Sequence, residues 1–181
     1  MTESSPLVVW PHDSWLSQGD IFESVLVTRV GVANGIAAQA PGRGPALLVS
    51  HGCAIDKKTR AGESRLEYVS FLPIQDVDRL EPQQADQLRR TKDTPQPYEV
   101  MYLGELPGIG EGYLSLTQPF TLPAVMLRTE LKDFTAEETG DEADRRIVPT
   151  VGDTRVAKLS EAGIDLFHHK WIAQWTRKAP K

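Results

Sequence analysis

Pro45-Ala46-Leu47-Leu48-Val49-Ser50 is a continuous apolar run, opened by a proline and followed closely by Gly52. Short apolar runs bounded by breakers form strands buried on both faces, so this segment predicts a central strand. Upstream, Gly19-Asp20 turns the chain into Ile21-Phe22-Glu23-Ser24-Val25-Leu26-Val27-Thr28-Arg29-Val30, whose β-branched content predicts a second strand. Between them, residues 31–44 hold four glycines and a proline and read as a loop or a loosely twisted hairpin connection. Downstream, Ser50 to Asp56 forms a turn and Lys57 to Arg65 a solvated, mostly basic loop. Leu66 to Leu72 then returns as a strand that stops at Pro73.

The rest of the chain adds strands and two helices. Pro82 suits the first turn of a short helix through Arg90, because its missing N–H lies among donors the helix leaves unbonded. Tyr98 to Leu103, Tyr113 to Thr117 and Phe120 to Leu127 read as strands, the last interrupted by Pro123. Residues 132–153 read as a mobile surface loop. The segment 154–181 reads as a terminal helix with Ser160 as N-cap, where Ile164, Phe167, Trp171 and Trp175 form one apolar stripe. Strands first, a short helix within and a helix last favour an α+β domain with a curled, mostly antiparallel sheet. The expected organisation is one domain: an N-terminal arm over 1–18, a sheet body over 19–131, the loop, and the helix.

The chain has 181 residues, 40% hydrophobic and 25% charged, with a formal net charge of −5. No apolar run reaches the ~18–20 residues that span a bilayer, and the N-terminus lacks the basic start and apolar stretch of a signal peptide. Its single cysteine allows no internal disulfide, which suits a reducing compartment. The expected setting is cytoplasmic, without membrane contact. Acidic residues outnumber basic ones over 1–131, whereas 155–181 carries six Lys/Arg against two Asp/Glu. An acidic body argues against sequence-blind binding of polyphosphates.

Ser50, His51, Cys53 and Asp56 fall within seven residues, and Lys57, Lys58 and Arg60 follow. A cysteine reacts as its thiolate, which an imidazole and nearby cations favour. Cys53 with His51 and Asp56 is therefore one candidate catalytic set. The competing assignment makes Cys53 a packing residue and Asp56 a turn-bonding one, because neighbouring strand residues point to opposite faces. His51, Cys53 and Asp56, with His168 or His169, also count three or four metal ligands. Paired Cys/His spacing is missing, so no metal and no cofactor is expected. Gly108-Ile109-Gly110-Glu111-Gly112 lacks the Lys-Ser/Thr of a phosphate loop and reads as a turn. Trp10, Trp15, Tyr68, Tyr102 and Trp171 would stack on bases only if exposed, and aromatics at such positions are more often core. The better basic footprint is Arg43 with Lys57, Lys58, Arg60 and Arg65.

Gln18-Gly19-Asp20-Ile21 and Gly44-Pro45-Ala46-Leu47-Leu48-Val49-Ser50 resemble the opening of the MazF/PemK toxin family. There a Gly-Asp-Ile strand precedes an Arg-Pro-Ala-aliphatic strand that ends in serine. Leu66 to Gln75 and Tyr98-Glu99-Val100 are similar to the family's third and fourth strands. The resemblance covers roughly residues 18–130, with an insertion at 79–97. It implies a small SH3-like barrel of the MazF/CcdB kind, a homodimer and a toxin–antitoxin setting. It also implies RNA cleavage served by an arginine before the Pro-Ala strand and a threonine after the third. Here Gly44 precedes Pro45, with Arg43 one position away, and Ile74-Gln75-Asp76 stands where the threonine is expected. The Ser-x-x-Cys turn is similar to that of uncharacterised bacterial and phage-associated proteins, with Ala54 replacing their aspartate. The expectation is a binding protein that contacts a protein partner or nucleic acid, with Arg43, Lys57, Lys58, Arg60 and Arg65 as contact residues. The alternatives are a single-strand endoribonuclease using Arg43 and a Cys53-dependent enzyme or redox switch.

Overall fold

The computed structural model describes residues 6–10, 16–33, 36–51, 66–124, 134–136, 147–149 and 155–176. Its strands are β1 (Val8–Val9), β2 (Asp20–Ala33), β3 (Ile36–Leu48), β4 (Tyr68–Asp76), β5 (Val100–Leu106), β6 (Gly110–Ser115), β7 (Phe120–Pro123), β8 (Phe134–Ala136), β9 (Ile147–Pro149) and β10 (Arg155–Leu159). The helices are α1 (Pro82–Arg90) and α2 (Glu161–Thr176), with a 3-10 turn at Val77–Arg79. The main sheet runs β1-β10-β2-β3-β4-β6-β5, with β7 also on β4, and every pairing is antiparallel. Its end strands β1 and β5 touch, so the sheet curls into a nearly closed barrel. The fold is α+β, as the sequence pattern implies. No described helix is long and apolar enough to cross a membrane.

Two apolar clusters show why β2, β3 and β4 carry adjacent apolar residues. Ile21, Leu47 and Leu72 enter a cluster with Met101, Leu114 and Phe167. Their sequence neighbours Phe22, Leu48 and Phe71 enter a second cluster with Leu16, Val25 and Val69. Adjacent strand residues face opposite sides, so both faces of this part of the sheet are buried. In the second cluster Phe71 meets Phe22 edge-on at 6.2 Å and stacks on Phe120 at 5.6 Å. A third cluster sets Ala85 and Leu88 of α1 on Val77 and Tyr113.

The structure corrects several boundaries. Residues 36–44 are strand, and β2 and β3 pair continuously from Val25↔Gly44 to Ala33↔Ile36. Glycines at 31, 42 and 44 lack side chains but keep their N–H groups, so the ladder passes through them. Pro73 does not end its strand; β4 continues to Asp76, where β6 follows β7 as its partner on the edge opposite β3. Val8–Val9 of the arm pairs with Leu159 and Lys158, so the arm completes the sheet. Residues 155–159, placed in the terminal helix by sequence, form β10, and α2 starts after Ser160. Ser160 does cap it: its Oγ accepts from the Gly163 N–H at 3.1 Å. Gly163 is required there, because a Cβ would come within 2.2 Å of the Leu7 carbonyl oxygen. The stripe fades along α2, with Phe167 buried, Trp171 half-buried and Trp175 exposed. Lys170, an ordinary charged residue in sequence, is buried and donates to the carbonyls of Pro95 (3.0 Å) and Pro97 (2.7 Å). Burial holds its pKa down to about 8.

Asp20 ties β2 to β10. Its carboxylate is fully buried, accepts from the Ser17 N–H at 2.8 Å and pairs with the equally buried Arg155 at 3.3 Å. Loss of water outweighs both contacts and raises its pKa to about 6. The folded state therefore binds this proton more tightly than the unfolded chain, whose carboxyl titrates near 3.8. Asp20's contribution is intact below pH 4 and declines by about 3 kcal/mol as pH rises through 6. The expected outcome is a larger fall in urea midpoint between pH 4.5 and 7 for the wild type than for Asp20→Asn. Parallel pH profiles would show that Asp20 is ionised throughout.

Candidate functional site

A groove of the described surface opens where β3 and β4 part. Their ladder runs Leu48↔Phe71, Leu47↔Leu72, Ala46↔Pro73 and then ends, and from Ile74 onward β4 pairs with β6 instead. Hydrogen-bond phase explains the break. The Val49 N–H donates to the Ser70 carbonyl (2.8 Å), while the Leu48 carbonyl accepts from Gly19 on the other side. Odd-numbered residues of β3 thus turn their backbone groups toward β4, and even-numbered residues toward β2. At the next position toward β4 the Ile74 N–H still donates to the Pro45 carbonyl, as the Ala46↔Pro73 pairing requires, but the return bond belongs to the N–H of residue 45, which is proline and has none. The strands separate there, leaving a cavity of about 890 Å³.

Each wall has a local cause. Glu23 and Ser24 sit in a bulge of β2, where three residues from Phe22 to Val25 span what two cover from Ala46 to Gly44 on β3. A bulge re-aims side chains, and Glu23 lines the groove. Its Oε2 lies against Gly108 of the β5–β6 turn, where a Cβ would come within 3.1 Å. Gly108 and Gly110 take positive φ (73° and 93°), the conformation glycine adopts without strain. Arg43, from β3, is steered by its Nε donating to Ser24 Oγ at 3.1 Å. On the β4 side, Tyr113 donates to Gln75 Oε1 at 2.7 Å. Asp76 caps the 3-10 turn by accepting from the Asp78 N–H at 2.9 Å and lies 3.8 Å from Arg79. The groove thus presents the carboxylates of Glu23 and Asp76 and the guanidinium groups of Arg43 and Arg79, over a floor that includes Pro45, Pro73, Ile74 and Phe120.

The turn that forms the far wall is anchored from behind. Arg89 of α1 holds Glu111 in a fork, through Nε at 2.7 Å and Nη2 at 2.5 Å, and the Tyr102 hydroxyl donates to the same carboxylate. The bonds from Arg89 and Tyr102 keep the Glu111 carboxyl down near 2. This cluster ties α1 to the β5–β6 hairpin that carries Gly108.

Of the residues singled out in sequence, Arg43 lines the groove. His51 is exposed just beyond β3 and is not among the lining residues. Ser50 has a structural role, since its Oγ accepts from the Ser70 N–H at 2.9 Å and extends the β3–β4 ladder by a side chain. Cys53, Asp56, Lys57, Lys58, Arg60 and Arg65 lie outside the described residues, as does Trp15. Trp10 and Tyr68 are exposed, and Tyr102 is engaged with Glu111. His168 bonds Gln18 at 2.8 Å, and Gln18 donates on to the Val49 carbonyl at 2.7 Å, which makes this histidine a strut between α2 and β3. Glu23, Gln75, Asp76, Arg79 and Tyr113 also line the groove; the resemblance marks only the 74–76 position among them, and no motif in the sequence marks Glu23, Arg79 or Tyr113. One signal was readable: Glu23-Ser24 places two polar residues together inside an apolar strand, which period-two alternation does not allow without a bulge.

The geometry of the groove makes a specific demand of Pro45. Pro45→Val restores an N–H opposite Ile74 and should extend the ladder by one bond, adding about 0.5–1.5 kcal/mol. In hydrogen exchange the new amide should be protected like those of the strand interior. Exchange at the rate of an exposed loop would mean that something other than the missing donor holds the strands apart. No protein-family model and no curated protein matches the chain, so the functional argument rests on the residues of this groove.

Proposed function

We propose that the protein is a non-catalytic binding module whose groove takes a segment of a protein partner. The observation that carries this reading is the groove's balance of charge. Two carboxylates and two guanidinium groups share one lining with prolines and aromatics. Nucleic acid selects an excess of cations, whereas a polypeptide supplies both charges and apolar side chains to match such a surface. A cavity of about 890 Å³ lies at the upper end of the usual range for ligand sites. The near-barrel and the Gly19-Asp20-Ile21 and Pro45–Ser50 strands support an SH3-like architecture of the MazF/PemK type for this module. The homodimer which that resemblance implies, and the cytoplasmic setting read from the N-terminus and the single cysteine, belong to the same proposal.

One observation favours a second reading. Arg43 and Glu23 line the same groove, and a guanidinium beside a carboxylate is the pair that a phosphoryl-transfer ribonuclease uses, as transition-state cation and general base. The two readings separate in one pair of experiments. Single-stranded RNA incubated with the protein should remain intact. A random hexapeptide display library selected on the purified protein should yield sequences that carry both an acid and a base. Their binding should weaken about tenfold or more in Glu23→Gln and in Arg43→Gln, as loss of a charged contact implies. RNA cleavage abolished by Arg43→Ala would establish the second reading and overturn the first.

A further inference from the structure

The groove offers an occupant apolar surface and side-chain donors, but little backbone to pair with. The Ile74 N–H is bonded to the Pro45 carbonyl, and the lining residues Pro45, Pro73 and Pro119 have no N–H. An occupant in β conformation would face this lining with N–H groups that no ladder accepts, and burying them unpaired is costly. The side-chain donors suit an occupant's carbonyls. Gln75 Oε1 accepts from Tyr113 at 2.7 Å, so the Gln75 amide nitrogen keeps its N–H donors, and no described group accepts them. Arg79 and Gln118 are exposed in the same lining. The apolar surface comes from Pro45, Pro73, Ile109, Pro119 and Phe120, none of them buried. Asp76 is engaged with the Asp78 N–H and lies beside Arg79. Glu23 differs: its Oε2 rests against Gly108, and among the described residues it has no hydrogen-bond or ion-pair partner.

A backbone that matches this lining is rich in carbonyls and poor in N–H groups. Proline supplies that, since each one removes a donor and keeps its acceptor. In a polyproline II helix the carbonyls make no internal bonds and remain open to outside donors. We propose that the occupant is a proline-rich segment of a partner protein, bound as a polyproline II helix on the apolar floor, with a lysine or arginine of the segment on Glu23. This rests on the peptide-binding reading above and deepens it. Rings at every third position of the segment lie against Pro45, Pro73, Pro119 and Phe120, while Gln75 donates to a carbonyl between them. The segment already populates this helix when free, so little order is lost on binding. The cation on Glu23 then selects among proline-rich sequences.

The test uses the hexapeptides recovered by display. They should carry prolines three positions apart, because the helix has three residues per turn. Alanine in place of either proline should weaken binding about tenfold. N-methylalanine at the same position lacks the N–H, as proline does, and should bind about threefold or more tightly than alanine. The contact to Glu23 is read from a double-mutant cycle. Glu23→Gln should weaken the hexapeptide about tenfold, and should change little once norleucine replaces the basic residue of the peptide. Losses that simply add would overturn the assignment of the cation to Glu23. Hexapeptides without paired prolines, or N-methylalanine no better than alanine, would overturn the polyproline helix while leaving peptide binding in place. Failure to recover any hexapeptide would overturn both.

Discussion

The missing N–H of Pro45 is the constraint from which the functional geometry follows. Up to Ala46–Pro73 the β3–β4 ladder is closed and both faces of the sheet are buried. At the next outward-facing position β3 accepts from Ile74 but has no donor to return, so the ladder ends on a single bond. β4 continues because it finds a new partner in β6, and β3 continues because β2 supports its other edge. Neither strand needs the other beyond this point, and the space between them becomes a groove. Because the cause lies in the covalent backbone, the opening does not depend on a ligand to hold it.

The rest of the barrel keeps that opening in shape. The arm closes the sheet through β1, and the Asp20–Arg155 pair joins the start of β2 to β10 beside it. This pair is a costly choice, since burial of the carboxylate outweighs the stabilisation it receives. Its effect is to fix where β2 begins, two residues before the bulge that aims Glu23. On the opposite side, the fork between Arg89 and Glu111, with Tyr102 behind it, fixes the hairpin whose Gly108 meets Glu23. Lys170 and His168 tie α2 to neighbouring loops and strands in the same manner. The polar groups buried in this small protein therefore act at junctions between elements, while the apolar clusters fill the space between.

Much of the fold was legible because apolar runs and period are direct physical signals. Pro45–Ser50, Leu66–Leu72 and the Ser160-capped helix are decided by their own residues. The β2–β3 extension was not, because glycines at 31, 42 and 44 mark both loops and unadorned strands, and only pairing across the ladder distinguishes them. β10 was missed for a related reason: Arg155-Val156-Ala157-Lys158-Leu159 alternates, but its buried residue Arg155 reads as polar until Asp20 is placed beside it. At the site, Arg43 was found through its position two residues before Pro45. Glu23, Asp76 and Tyr113 come from distant segments, and no spacing in one sequence reveals that a bulge and a change of strand partner bring them to one groove. The same proline that marked the start of a strand in sequence is what opens the groove in space, a role visible only once hydrogen-bond phase is known.

The most direct test of the central claim is to watch the groove's own glycines. With glycine alone labelled by nitrogen-15, a display-selected hexapeptide titrated into the protein should shift the amide resonances of Gly44 and Gly108. It should leave Gly19 and Gly163, at the α2 contact, unmoved. Shifts at Gly19 and Gly163 with none at the groove glycines would contradict the account, because the peptide would then be held elsewhere on the barrel.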